Sequence, residues 1–240
     1  MFDPSGETLD QMMRPGGGFA LPPMSFAGPP RPRAVGMAKA IKRIQDLCFA
    51  TMLLLIFALP LLIAALLICL ESSGPALFRQ RRVGLDGTSF MIWKLRTMRT
   101  QKASAQSAPN NMLCQARRGD PRVTRVGAWL RCRSLDELPQ LVNVLCGEMS
   151  LVGPRPHAPG TCAAGRPFEQ ISPLYTARHH MRPGMTGLAQ VRGWRGETET
   201  EDKLLRRVDS DLEYISTWSL WLDMVILVRT LTMVSARNAY

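Results

Sequence analysis

Two adjacent carboxylates, Asp136 and Glu137, are the residues of this chain whose types and surroundings best suit chemistry. Arg131 and Arg133 precede them, and Arg155 follows within the stretch GPRP at 153–156. Guanidinium groups and the backbone N–H groups of a helix start can hold phosphate oxygens, while a carboxylate can hold a divalent metal ion. The grouping therefore predicts phosphoryl chemistry and leaves the reaction open.

A purely structural role for the acidic pair is the alternative. The surrounding sequence predicts the start of a helix, with Ser134 or Asp136 as its N-cap and Pro139 in its first turn. An isolated aspartate at a helix start is usually only a cap. The adjacent Glu137 and the flanking arginines favour the chemical role.

A short β-hairpin is predicted upstream of this segment. Residues 82–84 and 90–98 flank an Asp-Gly turn at 86–87. Alternation along the second strand puts Lys94 and Arg96 on one face, so two cations could point together into a site. A solvated basic face is the alternative interpretation.

A predicted membrane segment precedes these elements in the chain. Leu47 to Leu70 form 24 residues without a charge, long enough as a helix to cross a hydrocarbon layer of about 30 Å. Pro60 at its middle favours a kink, and basic residues lie on both sides of the segment, as expected for a hairpin that enters and leaves one leaflet: Lys39, Lys42, Arg43, Arg79, Arg81 and Arg82. A spanning helix that tolerates its proline is the alternative.

The C-terminal region predicts an amphipathic helix that lies on a membrane. Apolar residues recur at helical spacing from Thr200 onward, and Trp218 and Trp221 precede a second apolar stretch that ends at Val234. Tryptophan suits the water–lipid boundary because an indole has one polar and one apolar edge. A helix buried in a protein core is the alternative.

The composition narrows the partner and the compartment. The chain has 240 residues, a net charge of +11 and 46% hydrophobic residues, which suits one folded domain with appended segments and an anionic partner. No RNA-binding, zinc-finger or helix-turn-helix signature points to nucleic acid. The six cysteines form no CxxC pair, so we expect reduced thiols on the cytosolic side.

Several motifs, in order, resemble the bacterial sugar transferase family. They are FRQRRVG (78–84), KLRTM (94–98), SLDELPQLVNVL (134–145), MSLVGPRP (149–156), RPGMTGLAQVRG (182–193) and WSLWLD (218–223). The family comprises monotopic phosphoglycosyl transferases, which begin the assembly of exopolysaccharides, capsules and glycoprotein glycans. The resemblance covers the chain from about Lys39 to its C-terminus.

The resemblance implies roles for individual residues. Asp136 would attack the diphosphate of a nucleotide-sugar to form a covalent phosphosugar-aspartate, and Glu137 would bind Mg²⁺. Substrate phosphates would be held by Arg131 and Arg155, and by Arg195 in preference to Arg192, with Lys94 and Arg96 as the further cations suggested by the hairpin. Pro60 lies where members of this family break their membrane hairpin.

The resemblance also implies an activity. A sugar 1-phosphate, expected to be glucose or galactose 1-phosphate from the stretch GWRGETET (193–200), would pass from a UDP-sugar to undecaprenyl phosphate, leaving UMP. The expected location is the bacterial inner membrane with the catalytic domain on the cytoplasmic face, and family members often pair as homodimers. A noncatalytic membrane-anchored assembly protein or anionic-lipid-binding protein is the competing function.

The predicted fold is mainly α with a short β-hairpin. A re-entrant membrane hairpin precedes a small cytosolic α/β catalytic domain with amphipathic interfacial helices. The predicted boundaries are a disordered Pro/Gly-rich tail at 1–38, the membrane helix at 39–75 and the catalytic domain at 76–240, with a polar surface loop at 100–121.

Overall fold

A computed structural model describes residues 36–99 and 120–235 of the chain. Most of the predicted tail and of the predicted polar loop at 100–121 therefore lies outside the described residues. The described part is mainly helical with short strands, as the sequence predicted.

The first element is the long apolar helix α1, Gly36–Glu71. Its most apolar window has a mean hydropathy of 3.2, and among the described residues it alone is long and apolar enough to cross a membrane. Its exposed face consists of large aliphatic side chains, including Leu55, Leu62 and Leu70, each at least 68% exposed. Such a surface is unfavourable in water and favourable in lipid.

The break predicted at Pro60 is not confirmed, because α1 continues through Pro60 for eleven more residues. Proline removes one helical N–H donor. Neighbouring elements can offset that loss, which is why apolar membrane helices tolerate proline.

Both ends of α1 contact the same folded domain. Near its start, Lys42 Nζ donates to Asp223 Oδ2 at 2.7 Å, and this ion pair is buried. At its end, Glu71 accepts hydrogen bonds from the backbone N–H groups of Arg125 and Val126 at 2.7 and 3.0 Å. The domain therefore holds the helix at two points that are separated by almost its whole length.

The predicted β-hairpin is confirmed. Strands β1, Leu77–Val83, and β2, Ser89–Leu95, pair antiparallel around a turn in which Asp86 and Gly87 have positive φ. Phe90 and Ile92 are buried on the face of β2 that also carries Lys94. The hairpin thus directs Lys94 toward the interior of the domain.

The middle of the chain combines short helices with a parallel strand pair. Helix α2, Arg125–Cys132, begins at Thr124, whose hydroxyl accepts from Gly127 N at 3.0 Å. The elements that follow are α3 (Gln140–Cys146), β3 (Ser150–Val152), β4 (Cys162–Ala163), β5 (Arg166–Pro167), α4 (Phe168–Ile171) and β6 (Gly184–Thr186). Strand β3 pairs in parallel with β6, and β4 pairs antiparallel with β5.

Three helices complete the described chain: α5 (Leu188–Val191), α6 (Glu201–Thr217) and α7 (Leu220–Ser235). The predicted amphipathic helix is present as α6, but its apolar residues Leu204, Val208, Leu212 and Ile215 are at most 2% exposed and pack in the protein core. For α6 the alternative of a core helix is therefore confirmed, and the expected position on a membrane is not. Helix α7 buries Leu222 and Ile226 in the core but exposes Trp221, Val228 and Leu231. It therefore has one apolar face against the protein and a second that is open to the surroundings.

Candidate active site

Asp136 and Glu137 lie on a single 3₁₀ turn, Leu135–Glu137, and not at the start of a helix. Ser134 stands at the N-cap position of this turn, but its side chain makes no capping hydrogen bond, and α3 begins only at Gln140, directly after Pro139. The predicted capping of an α-helix by Ser134 or Asp136 is therefore wrong. Pro139 has no N–H and cannot bond back to the carbonyl of Leu135, so the turn uses i→i+3 hydrogen bonds instead.

Glu137 joins three elements through its carboxylate. Its Oε1 accepts from Lys94 Nζ at 2.9 Å and from Arg155 Nη2, while its Oε2 accepts from Arg155 Nη1 at 3.1 Å. The side chain is 16% exposed. The fold therefore brings together the acidic turn, the hairpin and the segment after β3, and it gives Arg155 a two-pronged hold on Glu137.

The pKa values of the two carboxyl groups are shifted in opposite directions. Burial and the neighbouring charge of Glu137 raise the pKa of Asp136, whose residue is 8% exposed. Burial alone would raise the pKa of Glu137 too, but the charges of Arg155 and Lys94 hold that pKa well below its usual range. Glu137 is therefore ionised and held in place by its ion pairs. The ionised form of Asp136 is destabilised, which makes its carboxylate more reactive.

Arg131 and Arg195 lie on opposite sides of the same turn in the sequence. Arg131 lies in the last turn of α2, and its positive charge partly opposes the rise that burial and Glu137 cause in the pKa of Asp136. Arg195 donates from Nη2 to the hydroxyl of Ser134, two residues before Asp136. Arg192 instead pairs with Glu213 at 2.6 and 2.7 Å. Of the two arginines that the sequence left open, the structure brings Arg195 to the acidic turn.

Arg96 does not join this group, contrary to the expectation that it would point into the site beside Lys94. Its guanidinium donates to the carbonyl oxygens of Ser72 and Ser73 at 2.6 and 2.7 Å and so caps the end of α1. Strand β2 ends at Leu95, so the alternation that pairs Lys94 with residue 96 does not extend that far. Arg96 holds the membrane helix to the domain.

Comparison with known proteins adds to this geometry. The model of the family described as bacterial sugar transferase matches residues 37–237. The chain belongs to the bacterial sugar transferase family. The resemblance drawn from the sequence is thereby confirmed, and the acidic turn is the candidate active site of a transferase.

The relatives differ in length. A UDP-glucose:undecaprenyl-phosphate glucose-1-phosphate transferase of Caulobacter vibrioides is 52% identical over 89% of this chain and 76% of its own length. A transferase of the same name from Escherichia coli is 46% identical over 81% of this chain and 40% of its own length. An exopolysaccharide production protein of Rhizobium leguminosarum is 46% identical over 81% of this chain and 94% of its own length.

A second layer of residues behind the candidate site was not predicted from the sequence. Arg178 donates from Nη2 to the backbone carbonyl of Arg155 at 2.8 Å and from Nε to Asp211 at 3.0 Å. His157 Nδ1 lies 2.6 Å from Arg178 Nη1, and burial and nearby arginine charges hold the pKa of His157 well below its usual range. A neutral His157 therefore accepts from Arg178. In the sequence, only the position of His157 directly after Arg155 and Pro156 indicated that it lies near the site.

Positive charge accumulates behind Arg155. Burial and the charge of Arg155 lower the pKa of Arg82 to about 10, and the same two causes lower that of Arg207 to about 10. Arg82 donates to the carbonyl of Pro156 at 3.3 Å, next to Arg155. Like charges held this close favour a multiply charged anion, and a diphosphate is one.

Proposed function

We propose that this chain transfers a hexose 1-phosphate from a UDP-sugar to undecaprenyl phosphate, giving undecaprenyl-diphosphate-sugar and UMP. This would be the first membrane step in the synthesis of an exopolysaccharide or related glycan. The observation that carries the proposal is the buried Asp136 beside a Glu137 that is fixed by Arg155 and Lys94. The names of the Caulobacter and Escherichia relatives favour glucose over galactose as the sugar.

The proposed chemistry has two displacements at one phosphorus. A carboxylate oxygen of Asp136 attacks the sugar-bearing phosphorus, the bond from that phosphorus to the UMP oxygen breaks, and UMP leaves with the electron pair. A phosphate oxygen of undecaprenyl phosphate then attacks the same phosphorus. The bond to Asp136 breaks, and the free carboxylate returns.

The surrounding residues have distinct tasks in this scheme. Arg155 and Arg131 provide guanidinium groups for the phosphate oxygens, and Arg195 steadies the turn through Ser134. Together with Arg155, Lys94 keeps Glu137 ionised. Because Asp136 is almost fully buried, few water molecules surround the nucleophile, and its charge is poorly solvated before attack.

Magnesium is also part of the proposal. No cluster of three or more metal-ligating side chains occurs in the part of the chain that is described. Mg²⁺ commonly needs only one or two carboxylates together with substrate phosphates. Glu137 fits this role because it is an ionised carboxylate directly beside Asp136. When bound, Mg²⁺ would neutralise negative charge on the diphosphate.

An assay with defined substrates tests the activity. Purified protein in detergent or nanodiscs would receive undecaprenyl phosphate, Mg²⁺ and one of several UDP-sugars, with UMP release and lipid product both measured. We expect UMP and the glycolipid to form in equal amounts from UDP-glucose. Absence of both products with every UDP-sugar would contradict the proposed function and favour the noncatalytic alternative.

The pH dependence should reflect the raised pKa of Asp136. Only the ionised carboxylate can attack phosphorus, so the rate should fall as pH drops through that pKa, at a pH above the value of about 3.9 for a free aspartate. Single-turnover UMP release, followed from pH 8 down to the lowest pH at which the protein stays folded, would locate this limb, with the melting temperature as the control for folding. A rate that stays constant down to the value of about 3.9 for a free aspartate would contradict the raised pKa.

We further propose that α1 re-enters the cytoplasmic leaflet and does not span the bilayer. The support is its attachment at both ends, since Lys42 pairs with Asp223 and Glu71 binds the start of α2. A polar domain cannot hold both ends of a crossing helix from one side of the membrane. The exposed Trp221 and Leu231 of α7 would lie at the same membrane surface.

Cysteine labelling tests this topology. Native cysteines would be replaced, and single cysteines introduced at Ser25, before α1, and at Thr88, in the exposed hairpin turn. With a membrane-impermeant thiol reagent on spheroplasts, we expect protection at both positions and labelling of both after lysis. Replacing Pro60 by leucine should shift Ser25 toward labelling, because a restored hydrogen bond favours a straight crossing.

The spanning model makes the opposite prediction. Labelling at Ser25 without lysis, with Thr88 protected, would establish a crossing helix. If Ser25 is protected both with and without Pro60, the contacts at the two ends of α1 hold the topology, and Pro60 does not.

A further inference from the structure

Arg195 stands on a segment, residues 193–200, that has neither helix nor strand. The backbone turns at Gly193 and Gly196, whose φ values of 89° and 81° lie in the left-handed region that favours glycine. Between these two turns, Arg195 donates to the hydroxyl of Ser134, two residues before Asp136. Since no helix or strand fixes this segment, other contacts must hold Arg195 in place.

Arg207 of α6 supplies such contacts. Its Nε donates to the carbonyl oxygen of Trp194 at 2.6 Å, and its Nη2 donates to that of Gly196 at 2.6 Å. Its Nη1 donates to the hydroxyl of Thr198. All three nitrogen atoms of one guanidinium therefore bind one segment, and two of them bind the carbonyl groups of the residues that flank Arg195.

The guanidinium of Arg207 is held firmly by its own helix. Leu204 and Val208 of α6 are at most 2% exposed and pack in the protein core. Arg207 is 5% exposed, and its three hydrogen-bond partners are neutral oxygen atoms. A buried guanidinium loses most of its hydration, so these bonds are an inefficient way to stabilise a fold. They are well suited to fixing a backbone segment, because a planar guanidinium directs several donors at once.

Arg195 in turn contacts the residue that begins the acidic turn. The carbonyl of Ser134 accepts from Glu137 N at 3.2 Å, and the φ of Ser134, 56°, lies in the left-handed region. This conformation is unfavourable for a residue with a Cβ and persists only where the surroundings fix it. The bond from Arg195 to the Ser134 side chain is one such contact. A displaced Arg195 would therefore loosen the turn that carries Asp136.

We propose that Arg207 is a positioning residue of the transferase, which holds the backbone on both sides of Arg195 and so keeps the turn of Asp136 in the geometry for attack. The inference rests on the proposed function, in which Asp136 attacks the sugar-bearing phosphorus. Arg207 acts through Arg195 and does not bind the substrate itself, since each of its three nitrogen atoms is already bonded to the segment.

A double-mutant cycle of Arg207→Lys and Arg195→Met tests whether Arg207 acts through Arg195. Lysine keeps the charge but has a single donor atom, so it cannot bind all three oxygen atoms of the segment. We expect Arg207→Lys to lower kcat/KM for UDP-glucose, measured by UMP release, about tenfold in the wild type and less than about twofold in Arg195→Met. The KM for undecaprenyl phosphate should stay within about twofold of the wild type, because the lipid enters only after the attack by Asp136.

Arg206→Lys serves as the matched control. The guanidinium of Arg206 lies 5.1 Å from the centre of the Trp194 ring and pairs with Asp202, so the same substitution perturbs a side chain of the segment but removes no bond to its backbone. We expect kcat/KM for UDP-glucose to stay within about twofold of the wild type. Melting temperatures would be compared for all variants, to confirm that each is folded at the assay temperature.

Thr198→Val is the second variant, for use if Arg207→Lys does not fold. It removes only the hydroxyl that binds Nη1 and leaves Arg207 in place. The loss of kcat/KM, expected to be about threefold, should again vanish in Arg195→Met. A loss that persists in that background, or no loss at all in the folded variant, would overturn the inference.

Other outcomes overturn the inference without affecting the proposed function. An equal loss for Arg207→Lys in the wild type and in Arg195→Met would assign Arg207 to the fold or to direct contact with the substrate. If Arg195→Met or Arg207→Lys is as active as the wild type, Arg207 has no action through Arg195. Only a wild type that releases no UMP from any UDP-sugar would remove the proposed function itself.

Discussion

Asp136→Asn is expected to abolish both turnover and the covalent labelling of the protein by nucleotide-sugar. An amide cannot form the acyl phosphate that the proposed mechanism requires, so we expect UMP release to fall roughly 10³-fold or more. The measurement is intact-protein mass spectrometry after incubation with the UDP-sugar alone. The wild type should gain the mass of one sugar phosphate, and the variant should gain none.

The same substitution should not destabilise the fold. Burial and the charge of Glu137 raise the pKa of Asp136, so the folded protein is penalised for ionising this group at neutral pH. A neutral amide removes that penalty. We therefore expect an unchanged or higher melting temperature at pH 7, and a gain that disappears as pH falls and the aspartate of the wild type becomes protonated.

Two controls make the result specific to Asp136. Asp209→Asn makes the same chemical change at an exposed residue of α6 and should leave labelling intact. Asp136→Ala guards against deamidation of the introduced asparagine back to aspartate. A sugar-phosphate adduct on Asp136→Ala would show that another residue is the nucleophile.

The parts of the fold that the sequence predicted correctly are those with a strong local signal. The Asp-Gly turn at 86–87 joins two alternating strands, and the apolar spacing of α6 matches its buried face. The effect of Pro60 was harder to predict from the sequence. The cost of a proline in a helix is local, whereas the contacts that hold the two ends of α1 involve partners up to 181 residues away in the chain.

The candidate site shows the same division. Asp136, Glu137 and Arg155 could be grouped from adjacency and from the resemblance to the family. Which cations reach Glu137 depends on where β2 ends. The strand ends at Leu95, so Lys94 lies within it and reaches Glu137, whereas Arg96 lies beyond it and binds the end of α1. The layer of Arg178 and Asp211 behind Arg155 had no sequence signal, because these residues meet only in the folded chain.

Glu137→Gln is the second substitution with a large expected effect. The amide loses the charge that neutralises Arg155 and Lys94, and it is a poorer ligand for a hard cation. We expect the rate of UMP release to fall about 100-fold or more and the Mg²⁺ concentration for half-maximal activity to rise. Addition of EDTA should stop the wild type, and undiminished activity in EDTA would remove the metal from the mechanism.

Glu213→Gln distinguishes a catalytic loss from a loss of stability. Glu213 also forms a two-pronged ion pair with an arginine, Arg192, and its side chain is 11% exposed, close to the 16% of Glu137. Breaking either pair should cost about 2 kcal/mol of unfolding free energy, between the values for exposed and fully buried pairs. If Glu137 acts on the phosphates through Arg155 and Mg²⁺, the two variants should melt alike while only Glu137→Gln loses activity. Equal loss of activity in both would mean that the pair formed by Glu137 and Arg155 serves the fold, and the proposed role of Glu137 would then have to be withdrawn.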